Sequence, residues 1–467
     1  MMLKIKEKGE QFLKSNWYFL SLLVFIFIAW HVQAGPEISG MTFFNAVGLI
    51  SLLVFWFIIV SIYDNMAYGI PIILGFSYLL NSKDLNLKTF TALVPLLIGA
   101  ILFVAGTVIH LIRFRRKIKV GRLTIGLSLI AAANLIPLIY VEFSFALLVL
   151  SLVGIYHLLG YTLFNNYADV DIKYFFRFIY ALSWLLVIQT LSRYTGYVIA
   201  NGVSSIPKGI ETSWGGFNNF GWGVINDVFI HLMLMLPIHV YYIIKRPNNF
   251  WYWIGFLIIG LTFVVSGSRG GVMGLFIQIP LYIYVFIRYG NYKVRRNLAL
   301  FAVIILGVLI GSVKIIEYII DGFLKSLEND PSTGRIDLYR RAIEVWKQHP
   351  LFGGGWMAET MKWGSDRRVI VYHSTFFHTL AIMGIFGVLA VIINWYESFV
   401  IMVKRIGLEK WLILIGFIGS QAYGMIDITQ HAAFYMILLV TQLSVIEKSS
   451  VRTINTFDFE EFQLESI

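Results

Sequence analysis

The sequence predicts an all-α polytopic membrane protein with about fourteen transmembrane helices. Three observations carry that reading. The chain has 467 residues, of which 58% are hydrophobic and 13% charged, and its mean hydropathy is +0.75. Most of it is apolar runs near the roughly 20 residues that a helix needs to cross a membrane core of about 30 Å. The basic residues gather in short connections between those runs. The alternation of a membrane barrel is absent, and the runs are too long for barrel strands.

The predicted spans fall near 17–31, 41–62, 66–80, 89–112, 123–140, 143–164, 174–192, 226–244, 250–266, 271–287, 297–320, 374–400, 411–426 and 431–446. The third, MAYGIPIILGFSYLL, is short and carries Pro71. With the basic N-terminus inside, the clusters at 113–122 (RFRRKIKVGR), 245–246, 288–296 and 404–410 all fall inside as well. The net charge of +11 is thus a topology signal, and no nucleic-acid partner is expected, because these clusters lack groove-reading or stacking context. The first apolar run reads as a retained helix and not as a cleaved signal. There is no cysteine, which excludes a disulfide framework and a thiolate metal site. The expectation is one membrane domain over 1–467 in a cytoplasmic membrane. Its extracytoplasmic loops are 193–227 and 322–373, and its cytoplasmic tail is 447–467, in which TINTFDFEEFQLESI is a solvated acidic end.

The large loop contains DPSTGRIDLYRRAIEVWKQHPLFGGGW. Asp330-Pro331 signals a helix start. Ile336, Tyr339, Ile343 and Trp346 recur at helical spacing, and His349-Pro350 with Gly353 to Gly355 ends the helix. An amphipathic helix lying on the outer membrane face is expected. Arg341 has Asp337 four residues earlier and Arg340 has Glu344 four residues later, so both can pair locally. Arg335 faces only Leu338 and Tyr339 and sits where the helix dipole disfavours a cation. An anion held jointly by the helix N-terminus and the guanidinium would make sense of it. A solvent-facing or headgroup-facing arginine is the plainer alternative.

The stretch VVSGSRGG, 264–271, joins two apolar runs, and Arg269 is the only charge between about 250 and 287. Gly267, Gly270 and Gly271 let backbone N–H groups approach a ligand just before a helix starts. An outward anion site is one reading and a snorkelling arginine is the other. His373 stands where the large loop re-enters the membrane and could accept a proton at neutral pH, or make a structural hydrogen bond. His378 lies five residues deeper and ranks below it. The loop stretch SWGGFNNFGWGVIND suits a hydroxyl-rich ligand such as a sugar, and suits an interfacial aromatic belt equally. Arg193 begins this loop. No P-loop, outward Asp-x-Asp or Gly-x-Ser-x-Gly elbow is present, so no metal, nucleotide or other cofactor is expected.

Together VVSGSRGG, STGRIDLYRRAIEVWKQHPLFGGGW and HSTFFHTLAIMGIFGVL resemble the O-antigen ligase and polymerase superfamily, the Wzy-type polymerases and WaaL-type ligases. The likeness covers about 264–390. One departure is Ser374, where the family usually has Asn after the histidine. The resemblance implies a GT-C-like membrane glycosyltransferase. Such an enzyme uses polyprenyl-diphosphate-linked oligosaccharides as donor and acceptor on the outer face of a bacterial cytoplasmic membrane. It implies Arg269, Arg335 and Gly270 at the diphosphate and His373 near the acceptor. Arg193, Trp214, Asn226 and Tyr339 are the candidate glycan contacts. About fourteen spans and the Lys/Ile/Asn-rich composition favour a polymerase, with a chain-length regulator as a possible partner. The alternatives are a polysaccharide ligase or protein O-glycosyltransferase, and, in a different class, a transporter of lipid-linked oligosaccharides.

Overall fold

A computed structural model of the chain describes residues 2–31, 43–79, 90–311, 334–363, 366–404 and 407–464. A helix stands in each of the fourteen apolar segments. By length and composition six of the described helices can cross a membrane, or seven if Lys4–Leu13 and Asn16–His31, bent by 68°, form one span. Met66–Ser77, Thr124–Ile139 and Trp251–Val265 are apolar but shorter than such a span. The first of these starts as a 3-10 turn, Met66–Gly69, that hands over to Ile70–Ser77 at Pro71.

The chain divides into two compact units. The first comprises Met1–Lys117, Asn166–Leu275 and Tyr282–Ser326. Its centre is Ile225–Lys245, in which Val228 through Ile244 is buried on every face. A helix that is apolar all round belongs inside a bundle. Ile172–Asn201 and Trp251–Val265 pack against it, and Asn16–His31 packs on Ile172–Asn201. The Asp227 carboxylate accepts from the Val224 N–H at 2.7 Å and closes the start of the central helix.

The second unit comprises Ile118–Asn165, Phe276–Leu281 and Leu327–Ile467. It is built on the long helix Thr375–Val403. Thr124–Leu135 approaches so closely that a Cβ on Gly126 would lie 2.7 Å from the Asn394 Cα, and the Gly126 N–H donates to Glu397 Oε2 at 2.9 Å. The long helix breaks at Gly384, whose φ is 63° and ψ −161°. The chain after the amphipathic helix fits into that break. Gly354 and Gly355 N–H groups donate to the carbonyls of Ala381 and Ile382 at 2.8 and 3.0 Å. Ile385 and Phe386 N–H groups donate back to Pro350 and Leu351, each at 3.0 Å. Strand-like pairing thus replaces the helical bonds lost at the break.

Several expectations need correcting. Among the described residues, one antiparallel hairpin, Thr360–Trp363 with Asp366–Val369, interrupts the all-helical pattern inside the large loop. The amphipathic helix is Arg335–Gln348, and Asp330-Pro331 lies outside the described residues. One face of this helix docks on protein. Leu338, Ala342 and Val345 form a cluster with Phe377, Ala381, Ile370 and Tyr372, while Ile336 is 60% exposed. The small Ala342 permits the close approach, so this face wins over the bulkier stripe read from the sequence. The local ion pairs are also exchanged: Arg340 reaches back one turn to Asp337 at 3.0 Å, and Arg341 leaves the helix for Glu359. The last helix runs Ala433–Leu464, well into the expected tail. Glu447 accepts from the Arg122 N–H and the Tyr161 hydroxyl at 2.9 and 2.5 Å.

Gly384→Ala tests the break. A Cβ there would lie 2.5 Å from Leu351 backbone atoms, and this φ/ψ region is essentially glycine-only. Backbone strain alone should cost about 1–3 kcal/mol. We expect a lower unfolding temperature in detergent and faster proteolysis between residues 349 and 384; an unchanged melting curve would show that the break is not structurally required.

Candidate functional site

The residues singled out in the sequence fall into two groups, one in each unit. Arg193, Trp214, Asn226, Arg269 and Gly270 belong to the first; Arg335, Tyr339 and His373 belong to the second.

In the first unit, Arg269 opens the helix Arg269–Tyr289, and Ser268 is its N-cap. The Ser268 hydroxyl accepts from the Gly271 N–H at 3.2 Å and donates to Asn226 Oδ1 at 2.9 Å. The Ser268 N–H in turn donates to the Ser266 hydroxyl at 2.9 Å. The turn between the two apolar runs is therefore tied by serines as well as shaped by glycines. Gly267 has a φ of +73°, and a Cβ on it would meet the Ile210 carbonyl at 2.3 Å. The 193–227 segment lies against this turn. Ser213 donates to the Gly267 carbonyl at 3.3 Å, and the Trp214 indole donates to the Val265 carbonyl at 3.0 Å.

Two of the candidate glycan contacts in this unit are enclosed. Arg193 does not begin a loop: the helix Ile172–Asn201 continues two turns past it. Its guanidinium donates to the carbonyls of Phe217 and Gly216 and lies over the Phe217 ring at 5.2 Å. Trp214 is stacked on Tyr194 at 4.1 Å between ring centroids and is 2% exposed. As placed, Arg193 and Trp214 fold the loop back onto its own helix. Asn226 reaches Ser268 of the SGSRGG turn through its side chain.

In the second unit, Arg335 is the first residue of its helix, after Gly334 in the left-handed region at φ 73°. Tyr339 stands one turn on, stacked on Phe377 at 4.4 Å, and its hydroxyl donates to the His373 carbonyl at 3.2 Å. Burial raises the Tyr339 phenol above its ordinary pKa, opposed by the Arg335 guanidinium, so it remains a hydrogen-bond donor at neutral pH. Arg335 is half-buried and has no carboxylate partner among the described residues. His373 adopts φ 42°, a left-handed conformation uncommon outside glycine. Its Nδ1 lies 3.5 Å from Asp427 Oδ1, within ion-pair range but without a hydrogen bond. Ser374, at the departure from the family pattern, occupies the N-cap position of Thr375–Val403 and makes no side-chain cap.

Asp427 was not foreseen. It is 7% exposed, and its carboxylate accepts from the Tyr423 hydroxyl and the Ile428 N–H at 3.1 and 2.9 Å. The Thr375 hydroxyl donates to its carbonyl at 3.2 Å. A signal existed: Asp427 is a lone acid in YGMIDITQH, a connection that the span count also places outside. His378 is fully buried, and neither ring nitrogen has a hydrogen-bond partner among the described residues; Trp356, Tyr372 and His431 enclose it. Glu359, held by Arg341 and Tyr372, braces the same helix from behind, and burial beside that carboxylate drives the Tyr372 phenol pKa upward.

Ser268→Ala should remove the cap and the tie to Asn226 together, costing about 1 kcal/mol. Thermal unfolding in detergent would show it as a lower midpoint, largely restored by Ser268→Thr; equal midpoints for Ala and wild type would mean the turn is held by its glycines alone.

No curated protein matches the chain. Residues 254–392 match the family model described as O-antigen ligase, Wzy_C. That stretch contains the SGSRGG turn, the amphipathic helix, the glycine loop and His373. Over residues 254–392 the chain carries the domain of the O-antigen ligase and polymerase superfamily.

Proposed function

We propose that the protein is a membrane glycosyltransferase of the polysaccharide-polymerase type. It moves a glycan from a polyprenyl-diphosphate carrier to a sugar hydroxyl of another lipid-linked repeat unit, without a metal, on the extracytoplasmic face of a bacterial cytoplasmic membrane. The observation that carries this reading is the assembly of Arg335, Tyr339, His373 and Asp427 at one place in the second unit.

The chemistry follows from those groups. The acceptor oxygen forms a bond to the anomeric carbon of the donor while the bond from that carbon to the diphosphate oxygen breaks. His373 takes the acceptor's proton. Its Nδ1 faces Asp427, so a proton on Nδ1 leaves Nε2 as the basic atom. Asp427 is a positioning residue: it holds the ring and stabilises the imidazolium that forms. The lipid diphosphate departs with growing negative charge. Cationic side chains placed where that charge develops lower the barrier; Arg335 serves this role in the second unit, and Arg269 is carried over to it from the family resemblance alone. Arg335 suits it because no described carboxylate neutralises it. At the other arginine, Gly271's N–H is taken by Ser268, whereas the Gly270 N–H has no acceptor among the described residues and remains for an anion.

A second reading, a ligase that passes a finished chain to a different acceptor, is favoured by the description of the matching family. It uses the same groups and differs only in the acceptor.

The test is the chain-length ladder of surface polysaccharide in a deletion strain carrying each variant at matched membrane levels. Loss of a general base costs about 10²–10⁴ in rate. His373→Ala, Arg335→Ala and Arg269→Ala should therefore leave single repeat units in place of long chains. Asp427→Asn should shorten the ladder less severely and shift the activity profile of the purified enzyme along pH, which a packing defect would not do. Long chains stranded on the carrier lipid would establish the ligase reading. A full ladder with Arg335→Ala would reject both.

A further inference from the structure

The first unit contains a groove of about 610 Å³ that the glycosyl-transfer reading does not use. Its walls come from Asn16–His31, from the first half of Ile172–Asn201, and from the segment that ends Ile225–Lys245 and begins Trp251–Val265. Along most of its length it is apolar, with Phe19, Leu23, Trp184 and Ile188 facing the space. At one end the chemistry changes. Arg177 and Arg246 both line it there, and both lie within electrostatic range of the Tyr242 hydroxyl. Arg177 donates to Asn16 Oδ1 at 3.2 Å and to the Lys14 carbonyl at 3.4 Å, and Arg246 donates to the Tyr252 hydroxyl at 3.4 Å. Tyr242 and Tyr252 stack at 5.2 Å, and Tyr180 meets Tyr252 edge-on at 5.5 Å.

Two guanidiniums therefore share one end of an apolar slot, with neutral oxygens as their bonded partners and no carboxylate paired to either among the described residues. A void of this size is in the range that holds an elongated apolar ligand. Its cationic end stands at 172–177 and 245–252, beside the basic connections that the charge pattern assigns to the cytoplasmic side. That leaflet is the one whose anionic lipids attract such residues. Tyrosines at the junction of slot and charges match a headgroup level.

We infer that this groove is a binding site for one anionic glycerophospholipid of the cytoplasmic leaflet, with an acyl chain along Phe19, Trp184 and Ile188 and the phosphate on Arg177 and Arg246. The site lies in the cytoplasmic half of the span and is independent of the proposed transfer chemistry.

Native mass spectrometry of the full chain in detergent, with dioleoylphosphatidylglycerol or dioleoylphosphatidylcholine added at equal concentration, tests this directly. Wild type should retain phosphatidylglycerol at least several-fold over phosphatidylcholine. The double variant Arg177→Gln/Arg246→Gln should bring the two lipids to parity. Ile188→Trp, which fills the slot from an already exposed position, should reduce retention of both. If the double variant does not fold, Arg246→Gln alone, at an exposed residue, should still lower the preference. Equal retention of the two lipids by wild type, or a preference that survives the arginine changes, would overturn the inference.

Discussion

The second unit depends on one backbone contact: the strand-like pairing of residues 350–355 with the broken helix around Gly384. A helix interrupted inside a membrane protein has unpaired carbonyl and N–H groups, and no water is at hand to satisfy them. Here the loop HPLFGGGW supplies the partners. The contact works only with glycine on both sides. A Cβ on Gly353 would meet the Met383 N at 2.3 Å, and one on Gly384 would meet the Leu351 carbonyl at 2.5 Å. Because the loop is pinned there, the Arg335–Gln348 helix that precedes it has a fixed seat on Phe377 and Ala381. Tyr339 and Arg335 are carried to the His373 turn by the same docking.

The His373 turn stores strain that its surroundings offset. A left-handed histidine costs free energy, and such conformations persist where neighbours over-determine them. His373 is held at its carbonyl by Tyr339, and Thr375, two residues on, is held by Asp427. The imidazole faces the same Asp427. A single acid thus anchors the backbone after the histidine and stands opposite its ring. The imidazole side chain remains 42% accessible. In the first unit the serines do comparable work. Ser266 and Ser268 determine how the turn meets Arg269 and recruit Asn226, a residue 42 positions earlier in the chain.

The two functional readings share their chemistry and separate only at the acceptor. In both proposed readings the assembled groups would act at the anomeric carbon, the leaving diphosphate and the attacking proton. None of these distinguishes a growing repeat unit from another hydroxyl-bearing acceptor. Acceptor choice belongs to surfaces that contact the incoming glycan. The 193–227 segment, with its aromatic and amide side chains, is suited to that task, although Trp214 and Arg193 spend their own polar groups on the protein.

Composition and the distribution of basic residues determined by themselves that this is a helical membrane chain, because ~20-residue apolar runs have no other stable home. They also placed a helix in each apolar run, but not its end: Ile172–Asn201 passes the expected 192 and Ala433–Leu464 passes the expected 446, because a helix continues through polar residues that do not break it. The sequence pointed to Arg269, Arg335 and His373 because each is chemically out of place in its local setting. It marked Asp427 only as a lone acid in an outward connection; that this acid meets His373, 54 residues away, was decided by tertiary packing. It could not show which stripe of the amphipathic helix is buried. Ile336, Tyr339, Ile343 and Trp346 have the stronger apolar pattern, but the seat opposite admits Ala342 and Val345. The exchange of ion partners by Arg340 and Arg341 has the same origin. Pairing along a helix is worth only a few tenths of a kcal/mol, so a carboxylate such as Glu359, brought close by the hairpin and the glycine loop, takes the arginine. Local chemistry thus determined where charges and turns must lie, and the tertiary fold decided which of them meet.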